Sequence, residues 1–103
     1  MKDAVRKSRG LLTASEIVAI RKQYGASQSG LAMLLGWGDR TIARYESSLI
    51  QDRGNNIVLK KIAKDPEWFL ELLEDAKDKL PESKYRKMKK SAEKLLKEKT
   101  AEE

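Results

Sequence analysis

The segment from Ser27 to Ser47, SQSGLAMLLGWGDRTIARYES, constrains this chain more than any other. Leu31, Leu34 and Leu35 recur at helical spacing with Ala32 beside them, and Ser27 stands where an N-cap belongs, so a helix is predicted from about Ser27 to Leu35. A second short helix is predicted from about Asp39 to Ser47. Two helices joined by so tight a turn cross steeply, and their backbones approach. Ala32 supplies the small side chain at that approach, and Gly36 tolerates the positive φ that the turn needs. Ile42 points back into the junction, where it can meet Leu31, Leu35 and, from upstream, Ile20. Arg40 and Arg44 lie four residues apart and so share one helical face.

That is the arrangement of a helix-turn-helix, whose second helix lies in the DNA major groove. The joint pattern of Gln28, Ala32, Gly36, Ile42 and Tyr45-Glu46 separates it from a generic helical hairpin. The rest of the chain also reads as helix, with no convincing strand. Thr13-Ala-Ser-Glu16 is a capping box that opens a helix near Ala14, with Ile17, Ile20 and Tyr24 on one face and Gly25 at its end. After a loop from Ser48 to Asn55, Asn55 or Asn56 is expected to cap a helix carrying Val58, Leu59 and Ile62. Asp65-Pro66 reads as N-cap and N1, opening a helix with Trp68, Phe69, Leu72, Leu73 and Ala76 that breaks at Leu80-Pro81. A last helix from about Pro81 to Lys99 shows a thin stripe of Tyr85, Met88, Ala92 and Leu95, which either folds back or pairs with a second copy; Thr100 to Glu103 are expected to fray.

At 103 residues the chain is expected to be one domain with a modest core. It has no cysteine and no histidine, which excludes disulfides, zinc-thiolate sites and histidine acid-base chemistry. No glycine loop suited to phosphate and no acid pair at a credible cleft is visible, so the chain is expected not to be an enzyme and to need no metal or cofactor. The longest apolar run, residues 31–35, is too short for a bilayer, and no secretory signal is visible, so a cytoplasmic setting with no membrane partner is expected. The net charge of +6 is unevenly spread: residues 1–25, 26–64 and 81–103 are each basic, whereas residues 65–80 carry six acids against two lysines. A polyanion on one side of the molecule fits that division, and so does a plain coat of lysine and glutamate on solvated helices.

The segment SQSGLAMLLGWGDRTIARYE resembles the motif of Xre/Cro-type repressors. The longer run from LTASEIVAIRKQYG to NNIVLKKIAKDPEWFLELLE, about residues 11 to 75, is similar to the DNA-binding domain of MqsA-type antitoxins and related regulators. The resemblance implies an all-α fold: a compact five-helix, lambda-repressor-like helix-turn-helix domain over residues 13–80. A basic N-terminal arm (1–12) precedes it and a basic amphipathic helix (81–103) follows. Members often carry a zinc module, which a chain without cysteine lacks. The implied function is a sequence-specific double-stranded DNA-binding regulator, a repressor of antitoxin type. The alternative is a protein-interaction adaptor or toxin-binding module on the same scaffold.

The resemblance assigns roles residue by residue. Gln28 is implied as an anchor to a DNA phosphate; otherwise it is an ordinary exposed residue at a helix start. Asp39, Arg40 and Arg44 take the groove-facing positions. An arginine pairing with guanine O6 and N7 is worth roughly 1–3 kcal/mol of discrimination, although either guanidinium could grip phosphate instead. Asp39 can accept from cytosine N4 or favour the positive end of the helix it opens. Thr41 is a phosphate contact through its hydroxyl. Arg21 and Glu46 are implied to form a structural ion pair, and Trp37 either packs beneath the helix or lies against the sugar-phosphate backbone. Arg53, with Gln51 and Asn55, sits in a loop that would touch phosphate. Lys2, Arg6, Lys7 and Arg9 form an arm that either follows the duplex or is merely solvated. A homodimer is expected, because one recognition helix reads few base pairs and two need half-sites roughly 34 Å apart.

Overall fold

Most of the helices begin where a side chain satisfies their free amides. The computed structural model describes residues 2–47 and 49–102. Its elements are α1 (Lys2–Ser8), α2 (Ala14–Gln23), α3 (Gln28–Leu35), α4 (Thr41–Ser47), α5 (Arg53–Lys64), α6 (Pro66–Asp75), a single 3-10 turn (Lys77–Lys79) and α7 (Glu82–Glu102). Among the described residues there is no strand, and no helix is long and apolar enough to cross a membrane.

The predicted capping box is present: the Thr13 hydroxyl accepts from the Glu16 amide at 3.3 Å, and the Glu16 carboxylate accepts from the Thr13 amide at 2.9 Å. That backbone hydrogen bond holds the Glu16 carboxyl below its ordinary range. Ser27 caps α3 through the Gly30 amide at 3.0 Å. Asp65 caps α6 through the Trp68 amide at 3.0 Å, with Pro66 in the first turn, and this bond lowers the Asp65 carboxyl. The cap expected at Asn55 or Asn56 belongs to Asp52, whose carboxylate accepts from the Asn55 amide at 2.6 Å. The asparagines are engaged elsewhere: Asn55 donates to the Tyr45 hydroxyl, and buried Asn56 accepts from the Leu12 amide and Gln51.

The core runs through every helix from α2 to α7. Ile17, Leu31, Ala32, Ile42, Leu59, Ile62, Phe69, Leu73 and Ala92 are fully enclosed. Tyr24 and Phe69 stack with centroids 3.7 Å apart and planes 5° from parallel. The Tyr24 hydroxyl donates to the Ile62 carbonyl, and burial pushes its ionisation up to about 12.

The fold departs from the expected five helices plus one by an additional helix at its start, and from the expected fraying at its end. The expected arm over residues 1–12 contains helix α1, which Arg6 ties to the domain. The last helix does not fray at Thr100 but continues to Glu102, the end of the described residues. Its stripe folds back onto α6: Tyr85, Met88 and Ala92 are buried, and the Tyr85 hydroxyl donates to Glu74 at 2.5 Å, depressing that carboxyl. Intramolecular packing thus takes the surface that was the candidate for pairing with a second copy.

Candidate nucleic-acid interface

The geometry is set at the junction of α3 and α4. Gly36 adopts φ +73°, and the turn closes with the Trp37 amide on the Ala32 carbonyl at 2.9 Å and the Gly36 amide on the Met33 carbonyl at 3.1 Å. This is a Schellman ending, which needs a left-handed residue. Trp37 is half-buried, its ring edge-on to Tyr45 with centroids 6.0 Å apart, so it packs beneath α4. The helix expected from Asp39 starts instead at Thr41, because a turn from the Gly38 carbonyl to the Thr41 amide, 3.0 Å, comes first. Asp39 is therefore exposed in that turn, and among the described residues its side chain caps nothing.

From Thr41 onward, α4 divides cleanly. Ile42 and Tyr45 face the core, while Arg44 is exposed, as is Arg40 at the turn; the Arg44 amide bonds to the Arg40 carbonyl at 3.0 Å. Among the described residues neither guanidinium has an acid or a carbonyl partner. Thr41 is half-buried behind them.

Glu46 holds the helix to the body. Arg21 meets it with two parallel hydrogen bonds, Nε to Oε2 at 2.9 Å and Nη2 to Oε1 at 3.2 Å, and also reaches the Ala26 carbonyl at 3.2 Å. The pair expected from the resemblance is thus in contact, with side chains only 19% and 8% exposed. Gln28 joins it, donating to Glu46 Oε1 at 3.0 Å, while remaining at the surface.

Two predicted contacts move. Arg53 is exposed but is the first residue of α5, not a loop residue. Gln51, grouped with it, is buried and bonds the Leu12 carbonyl at 2.8 Å. The larger correction concerns Arg6, expected on a flexible arm. It is 2% exposed. Its Nη2 donates to the carbonyls of Tyr45 at 2.5 Å and Leu49 at 2.7 Å, and its Nε to Gln51 at 3.1 Å. A cation placed on the Tyr45 carbonyl in the last turn of α4, and on the Leu49 carbonyl just past its end, satisfies free acceptors and complements the negative helix end. Gly10, at φ +72°, turns the chain after α1 so that this reach is possible. That glycine was the available sequence signal for α1; the side chain's destination, 39 residues away, left none. Lys7 and Arg9 remain exposed, and the side chain of Lys2 lies outside the described residues.

Arg44 is thus exposed on α4 and Arg40 in the turn just before it, while Arg6 and Arg21 both hold the C-terminal end of that helix. Gln28 stands to one side, and Arg53 is carried by the element that follows. No family model, curated protein or solved structure matches the chain.

Proposed function

We propose that this protein is a sequence-specific double-stranded DNA-binding regulator of helix-turn-helix type, with α3 and α4 as the paired helices and α4 entering the major groove. The observation that carries the reading is the division of the segment from Arg40 to Tyr45: Ile42 and Tyr45 of α4 are packed inward, and Arg44 on α4 and Arg40 in the turn before it stand exposed without protein partners among the described residues. Bidentate donors on a rigid helix are what guanine edges select. Gln28, Thr41 and Arg53 would set the register by touching phosphate, with Asp39 at the groove edge. The resemblance to Xre/Cro repressors and MqsA-type antitoxins points to repression, with two copies reading two half-sites. Such a dimer would use a surface other than the buried stripe of α7.

The test is a binding selection on a random duplex library, run with the unmutated chain and with the Arg40→Ala/Arg44→Ala variant. Enrichment of a guanine-containing motif that disappears in the variant is expected. No enrichment by the unmutated chain would shift the reading to a protein-interaction module, toxin binding included.

A further inference from the structure

The charge around α7 is not evenly paired. On one side Arg86 meets Glu82 at 2.5 Å and Lys89 meets Glu74 at 3.5 Å. On another side stand Lys84 and Lys87, and neither has an acid three or four residues away in either direction. Lys84 Nζ donates to the Ser29 hydroxyl at 2.9 Å; Lys87 has no side-chain partner among the described residues. Both lean on the junction between α2 and α3, their stems passing over Gly25 and Gly30. A Cβ on Gly30 would lie 3.4 Å from Lys84 Cδ, and one on Gly25 would lie 3.4 Å from Lys87 Cε. Beside them is an open recess of about 250 Å³ between Ala26, Ser27, Ser83 and the two lysines, with no acid on its walls among the described residues.

This recess adjoins the surface already described. Ser29 follows Gln28 and accepts from Lys84, so a strip of polar and basic side chains runs from Gln28 past Ser29 to Lys84 and Lys87 beside the start of α3. We infer that α7 extends the DNA-binding surface, Lys84 and Lys87 gripping the sugar-phosphate backbone beside the start of α3; the inference rests on the DNA-binding reading above. The ligand follows from charge: two ammonium groups with no acid partner among the described residues, set beside the Gln28 position at the start of α3, fit a run of phosphates. Contacts of this kind add affinity without reading sequence.

The experiment measures duplex binding by fluorescence anisotropy across a salt series, on a selected duplex and on a scrambled one of equal length. Lys84→Ala/Lys87→Ala is expected to weaken binding to both equally and to flatten the log-log salt dependence by about 1 to 2, at about 0.9 per phosphate released. Lys84→Arg/Lys87→Arg should restore the slope. Lys64→Ala/Lys99→Ala, which removes two charges where α5 meets the far end of α7, should leave it nearly unchanged. Equal flattening by both alanine pairs, or none by the first, would overturn the inference and leave the DNA-binding reading standing. Failure of the unmutated chain to bind either duplex would remove both. Far-UV circular dichroism of each variant excludes unfolding as the cause, and a first pair that does not fold is replaced by Lys84→Gln/Lys87→Gln.

Discussion

Arg21 and Glu46 are the residues on which the presentation of α4 most directly depends. Their contact is doubly hydrogen-bonded and mostly enclosed, so removing one member leaves the other short of partners away from full solvent. Arg21→Ala should destabilise the fold by about 1–3 kcal/mol in urea titration, and a cycle with Glu46→Ala should show coupling of about 0.5–3 kcal/mol. Additive single mutants would contradict the geometry. Gly36 gives a second expectation. Among the described residues a Cβ there meets nothing within 4 Å, so it is the backbone that resists substitution. Gly36→Ala should lose about 1–2 kcal/mol, and Gly36→Asn less, because asparagine visits the left-handed region more readily. Equal losses would mean that the turn is not under conformational control.

At the scale of elements, α2 to α7 were legible because periodicity and caps are local. Thr13, Ser27 and Asp65 announce their helices within three residues of chain, and the glycines announce the ends. What was not legible depended on distance. Nothing near Lys2–Ser8 shows that Arg6 will be buried 39 and 43 residues away, and a basic stretch with one glycine reads equally as an arm. The cap of α5 was misplaced for a related reason: three cap-forming residues, Asp52, Asn55 and Asn56, lie close together, and only tertiary hydrogen bonds decide which is free. The sorting of residues around α4 was better served by sequence, since Arg40 and Arg44 are exposed while Ile42 packs inward. The fate of the α7 stripe needed the structure. Met88→Ala, at a position 1% exposed between α7 and the domain, should destabilise by about 2–5 kcal/mol on chemical denaturation, as expected of a core side chain and not of an exposed seam.

Across the whole molecule, the titrating groups define a broad plateau of stability. Glu16, Asp65 and Glu74 ionise more readily folded than unfolded. Their contribution is complete above ordinary values of 4.5, 3.8 and 4.5, and is lost as pH falls through the lower folded ones. Tyr24 behaves oppositely: its contribution is complete below 10.0 and is lost as pH rises through about 12, and Lys89, raised by the Tyr85 hydroxyl, acts on the same alkaline side. With no histidine in the sequence, the melting temperature should be flat from about pH 5 to about pH 9.5 and fall beyond either limit. A step near pH 6.5, about where histidine titrates, would contradict this assignment. The buried guanidinium of Arg6 has a bearing on ionic strength too. Enclosed charges feel dissolved ions far less than exposed ones do. On the proposed DNA-binding reading, brine would therefore blunt exposed Arg40 and Arg44 while leaving untouched the rivet at the end of α4, so a duplex shed at high salt should be taken up again on dilution with no change of shape in the protein.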